Sequence, residues 1–232
     1  MVDAYLNFGS GPYPEASYLT TGGAQSWYLS GAVDKLFGGT PNAQQQQAFV
    51  STVAQRVEQT FQLSGVPLTL TTDPNTPAAH TMSIVSGTGS AITPGAIGET
   101  DIGRNGFNFI DQIAGAVQSV DQLEWVLAHN VSHELMLAFG VPEKFDQTGK
   151  FLDSTNVNMA MMTNPDATFS PAAAQAIDQA LQAANPPGGA TSSAQYMQPL
   201  ATPEPATLIA WCVGLLSVVG GARLRASRPR VG

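Results

Sequence analysis

The sequence predicts an α+β fold: a twisted sheet backed by one helix, a central helix, and an irregular stretch closed by a last helix. Three observations predict it. Phe49, Val53, Val57 and Phe61 recur at intervals of four and mark an amphipathic helix from Pro41 to Leu63. Short runs with strand character lie on both sides of that helix. A long apolar helix is then bracketed by Ser119 and Gly140, and the chain after it carries few regular signals until Ser170.

Met1 to Phe8 alternates Val2, Ala4, Leu6 and Phe8 and reads as the first strand, without the charged start and apolar stretch of a secretory signal. Gly9 to Thr40, rich in Gly, Ser, Tyr and Pro, reads as loop with one short element around Trp27 to Leu36. Pro41 suits the first turn of the backing helix, whose apolar stripe needs a sheet to cover. Strands are expected at Val66 to Thr72 and Thr81 to Val85, with turn residues Asp73 to Pro77 between them. His80 reads as a structural residue. Gly87 to Gly106 holds six glycines and no period, which reads as a long loop with an edge strand at Ala96 to Ile102. Those glycines are scattered and make no phosphate-cradling GxxxxGK pattern. Phe107 to Val120 is short, apolar and leads into the central helix.

The chain has 232 residues, 43% of them hydrophobic, which suits one domain of ordinary size. Its net charge of −8 hides an asymmetry. Up to Pro205, seventeen acidic residues face five basic ones, a charge of −12, whereas Arg223, Arg225, Arg228 and Arg230 crowd the end. An acidic body argues against nucleic acid as a partner, because phosphate contacts need clustered Lys and Arg. The only cysteine is Cys212, so no intrachain disulfide exists to be read.

The chemistry gathers in the central helix. Ser119 lies three residues ahead of Gln122, a capping-box pattern, and Gly140 followed by Pro142 is a stop signal. Between them Leu127, Val131, Leu135 and Ala138 form an apolar stripe, and Val126, Met136 and Leu137 make the other side apolar too. His129 and His133 share one face of this helix, with Glu134 directly after. Burying them costs free energy unless they are paired or hold a metal. Two imidazoles four residues apart on a helix are the zinc-binding half of an HExxH motif, whose glutamate is the general base on metal-bound water.

Two registers compete. Counted from His129, both helical ligands are present, but Asn130 replaces the base. Counted from His133, the run HELMLAFGVPE puts His133, Glu134, Gly140 and Glu143 where the longer motif HExxHxxGxxH places ligand, base, glycine and third ligand, while Leu137 replaces the second ligand. On these residues the chain resembles the metzincin metallopeptidases, matrixin-like members in particular. The segment Asn158 to Leu181, NMAMMTNPDATFSPAAAQAIDQAL, looks like their Met-turn and closing helix, with Met161 or Met162 beneath the metal. The resemblance covers Val120 to Leu181 by motif order. It implies an upper sheet subdomain, a lower irregular one and a cleft between them. It also implies zinc as cofactor, a peptide as substrate, Glu134 as base, His133 with His129 as ligands, and Glu143 as third ligand with Asp146 as alternative. The competing reading is a catalytically silent scaffold of the same shape.

Beyond residue 184 the chain changes character. Residues 185–202 are Pro, Gly, Ala, Ser and Gln and read as a flexible linker. Ala206 to Ala222 contains no charge over seventeen residues and is followed by arginines, the pattern of a membrane-spanning helix under the positive-inside rule. Pro203, Glu204 and Pro205, the apolar segment, and Arg223 and Arg225 resemble the PEP-CTERM sorting signal of exported bacterial proteins. That resemblance implies residues 203–230 as a sorting segment read by an exosortase-type enzyme. The acidic domain, residues 1–184, would then lie outside the inner membrane and be released to the cell surface after processing.

Overall fold

The structure, a computed structural model, describes residues 1–155 and 158–184. In chain order they form β1 (Val2–Asn7), α1 (Ala16–Leu19), β2 (Gln25–Ser26), a 3-10 turn at Trp27–Leu29, α2 (Gly31–Phe37), α3 (Ala43–Leu63), β3 (Leu70–Thr71) and β4 (Ala78–Ser86). There follow β5 (Gly98–Thr100), β6 (Gly106–Phe109), α4 (Ile110–Gly115), α5 (Val120–Ala138), α6 (Met159–Met162) and α7 (Pro171–Ala184). The sheet runs β3-β1-β4-β6-β5, and β2 pairs with the end of β4. Pairing is parallel from β3 through β6 and antiparallel for β5 and β2. The architecture is therefore mixed α/β with a mostly parallel sheet.

Helix α3 lays the predicted stripe of Phe49, Val53, Val57 and Phe61 on one face of this sheet, against Ala4, Leu6, Met82 and Ile84. Helix α5 adds Leu123, Leu127, Val131 and Leu135 to the same core. Trp27 stacks on Phe49 with ring centres 4.3 Å apart, and Phe8 and Phe37 meet Phe49 edge-on at 6.3 and 6.0 Å. The opposite face carries a smaller cluster of Leu19, Val85, Phe107 and Phe109. Arg56 clamps α3 to α5: it donates to the Asp121 carbonyl at 2.9 Å and carboxylate at 2.7 Å, and its guanidinium lies 4.3 Å from the centre of the Trp125 ring.

Several boundaries differ from expectation, each for a local reason. Asn42 caps α3 in a reciprocal pair with Gln45, so Pro41 stands outside the helix. The strand expected at Val66 to Thr72 pairs only at Leu70–Thr71, whereas β4 starts earlier than expected, at Ala78. The edge strand expected at Ala96 to Ile102 contracts to β5. The apolar connector from Phe107 contains a strand and a helix that the sequence reading missed. All four residues of β6 are buried, which removes the alternation that marks a half-exposed strand.

Among the described residues no helix is long and apolar enough to cross a membrane. The predicted span 206–222, the linker 185–202 and the sorting residues Pro203, Glu204, Pro205, Arg223 and Arg225 lie outside the described residues.

Candidate functional site

Both predicted ends of α5 form. Ser119 Oγ accepts from Gln122 N at 3.2 Å, although Gln122 reaches back to Gln118 N, at 2.9 Å, rather than to the cap residue itself. At the other end Gly140 takes a φ of 89° and its N–H bonds the Leu137 carbonyl, while Val141 N–H bonds that of Met136. This is the Schellman pattern, and it turns the chain sharply back. The reversal brings Glu143 Oε1 to 3.0 Å from His133 Nε2.

His133 is buried, and its other nitrogen, Nδ1, lies 2.6 Å from the Leu152 carbonyl. Both ring nitrogens thus face acceptors, which only an imidazolium satisfies. Burial alone would lower the His133 pKa. The Glu143 hydrogen bond and charge, helped by Glu134 and the Leu152 carbonyl, instead raise it to about 9.

His129 sits one turn earlier and in a different setting. Its Nδ1 donates to the Met162 carbonyl at 2.7 Å, its ring stacks on Trp125 at 5.3 Å, and its Nε2 has no hydrogen-bond partner. Burial pushes its pKa down to about 4, with the Arg56 charge acting in the same direction, so the ring is neutral. Met161 and Met162, where a Met-turn was expected, lie in the short helix α6, capped by Asn158, and Met162 supplies the backbone carbonyl that meets His129.

The zinc expectation can be tested on these donors. Two ligands of one tetrahedral zinc, each about 2.0–2.1 Å from it, stand roughly 3.3 Å apart. The His133–Glu143 pair, at 3.0 Å, meets that spacing. The third donor does not arrive: among the described residues, no three His, Cys, Asp or Glu side chains gather closely enough to hold an ion. Glu143 meets His133, His129 turns its Nδ1 to the Met162 carbonyl, and Leu137 occupies the position that the motif gives to the second ligand. The expected set His129, His133 and Glu143 is thus split, and the residues present do not fit a resident zinc.

Asp146, the alternative third ligand, is committed elsewhere. Its carboxylate accepts from Thr148 N and Oγ1, Lys150 N and Phe151 N at 2.6–3.1 Å and closes its own loop. Burial opposes ionisation there, but these bonds hold the carboxyl below its usual range. Asp153, which the sequence reading passed over, is fully buried and accepts from Ser170 N at 2.6 Å and Oγ at 2.8 Å, anchoring the start of α7. His80 meets Phe139 edge-on at 5.5 Å.

Glu134, the expected base, points at the edge of the sheet. A Cβ placed on Gly98 would run into Glu134 Oε1 and lie 2.6 Å from Asn130 Nδ2, so only glycine lets β5 approach α5 this closely. Burial is the main influence on the Glu134 carboxyl and raises its pKa to about 7, against lowering effects of His133 and of the nearby Thr100 hydroxyl. Asn130, read in sequence as a lost base, donates to the Ile97 carbonyl at 3.2 Å and to Asn108 Oδ1 at 2.7 Å. It ties the helix to β6 and to the residue before β5. Gly98→Ala is expected to destabilise the protein by about 1–3 kcal/mol through overpacking, read as a lower urea midpoint at unchanged slope.

No protein-family model matches this chain, and no curated protein does. Among solved structures it is similar to archaemetzincin from Methanopyrus kandleri, at 13% identity and a TM-score of 0.39, over 77% of this chain and 94% of that one. A likeness this slight assigns neither a family nor an activity.

Proposed function

We propose that this chain is a non-hydrolytic, metzincin-like domain displayed at a bacterial envelope by its C-terminal sorting segment. One observation carries the first half: His133 offers both ring nitrogens to acceptors, so a proton occupies the lone pair that a metal would need. In this reading the His133 imidazolium is the positive centre between the Leu152 carbonyl and the Glu143 carboxylate. The motif order from Val120 to Leu181 supports the scaffold, and the order Pro203-Glu204-Pro205, apolar segment, arginines supports the sorting role.

The test is the metal content of the purified full-length chain. Zinc well under one equivalent is expected, with no casein cleavage above that of Glu134→Gln. One equivalent of zinc, lost in His133→Ala, together with cleavage lost in Glu134→Gln, would overturn the reading.

A zinc endopeptidase is the second reading, and one observation favours it. His129 and His133 each give Nδ1 to a backbone carbonyl, the arrangement that orients metal-bound imidazoles. Zinc would then have to displace the His133 proton, so uptake should rise steeply between pH 7 and pH 9. The export arm is tested by cell fractionation, in which deletion of residues 203–230 should move the protein out of the membrane fraction.

A further inference from the structure

Residues 9–24 run over the sheet face opposite α3 and α5. The cluster they cover is small and separate from the main core: Leu19, Val85, Phe107 and Phe109 are buried in it, with Tyr13, Ala16 and Ala24 packed around them. Leu19, Tyr13, Ala16 and Ala24 belong to the covering segment, whereas Val85, Phe107 and Phe109 stand on β4 and β6.

Keeping this cover closed carries costs. Glu15, which leads into α1, has a φ of 69°, the left-handed region that a residue with a Cβ adopts only at a cost. Ser83 lies two residues before Val85 on β4, and Glu99 pairs with Phe107, so both share the covered face. Ser83 Oγ and Glu99 Oε2, and Glu15 Oε2 on the segment itself, are buried without a hydrogen-bond partner. Opening would return all three to water. The polar ties that oppose opening lie near the surface. Ala91 N–H donates to the Leu19 carbonyl and Thr21 N–H to the Gly89 carbonyl, both at 3.0 Å. Arg104 Nε donates to Glu15 Oε1 at 3.2 Å, and its guanidinium lies 5.8 Å from the centre of the Tyr18 ring. The Arg104 side chain is 55% exposed, so water weakens that ion pair.

We propose that residues 9–24 are a strap that opens as a unit while the rest of the fold stays intact, uncovering Val85, Phe107 and Phe109. Arg104 is its latch. A small satellite cluster with a strained residue and unpaired polar atoms belongs to the low-stability end of a structure, where sub-global opening occurs. The strap is independent of metal binding and of export.

The test is thiol labelling of the full-length chain with Cys212→Ser as background. Ser83→Cys places a thiol under the strap, and Ser132→Cys, on buried α5, is the control. Ser83→Cys should label at least about tenfold faster than Ser132→Cys, with a weaker dependence on urea, because opening the strap exposes less surface than unfolding. Adding Arg104→Gln should speed labelling of Ser83→Cys by about two- to fivefold, the worth of an exposed ion pair, and leave Ser132→Cys unchanged. In the wild-type chain, hydrogen exchange of the Thr21 and Ala91 amides should report one shared opening, less protected than the amides of α5. Equal labelling of the two cysteine variants, Thr21 and Ala91 amides that exchange only with global unfolding, or no effect of Arg104→Gln on Ser83→Cys would each overturn the proposal.

Discussion

Glu143→Ala is expected to cost about 2–3 kcal/mol at pH 7, less than the penalty for a fully buried ion pair because the Glu143 side chain is half-buried while His133 is buried. The cause is the charge left behind: His133 would keep a buried imidazolium facing no carboxylate, or lose its proton. The loss should depend on pH with a definite sign. The folded-state pKa of His133, about 9, lies above the ordinary 6.5, so its contribution is complete below pH 6.5 and lost as pH rises through 9. The gap between wild type and variant should therefore be widest near pH 6 and close towards pH 10. Urea unfolding at pH 6, 8 and 10 measures it, and an unchanged gap at pH 10 would contradict the imidazolium assignment. Glu134 acts in the same sense over a lower window, because its pKa of about 7 lies above the ordinary 4.5 and stability falls as it ionises. His129 works in the opposite direction: its pKa of about 4 is depressed, so its contribution is lost as pH falls from 6.5 through 4.

Phe49→Ala should cost about 3–5 kcal/mol, the range for truncating a fully buried aromatic side chain. Phe49 is 1% exposed and is the ring on which Trp27, Phe8 and Phe37 converge, so its removal leaves a cavity lined by rigid rings that cannot collapse easily. The expected readout is a fall in melting temperature with loss of near-ultraviolet tryptophan ellipticity. Phe49→Leu should recover part of it, and a change below about 1 kcal/mol would show that the aromatic cluster does not hold α3 to the sheet.

Much of the helical framework was legible in the sequence. Periods of four located α3 and α5, and Ser119 and Gly140 marked where α5 begins and ends. These are local signals, since capping bonds and apolar stripes depend on residues within a few positions of one another. The strands were read less well. Leu70–Thr71 and Gly98–Thr100 are too short to show alternation, and β6 has no exposed side to alternate with. The likeness to the HExxHxxGxxH motif directed attention to His133 and Glu143, and the turn at Gly140 brings these two into contact.

Residue types and spacing alone determined that this chain has two imidazoles and a carboxylate on a buried helix, a glycine to reverse the chain after it, and an apolar, arginine-flanked end. Only the tertiary structure decided which of those groups meet. His129 went to the Met162 carbonyl, Asp146 to its own loop, and Glu134 to the slot that Gly98 leaves open. Spacing along a helix sets the side on which a group projects, but its partner is chosen by backbone brought from elsewhere in the chain. For His133 that partner set is the Leu152 carbonyl and the Glu143 carboxylate.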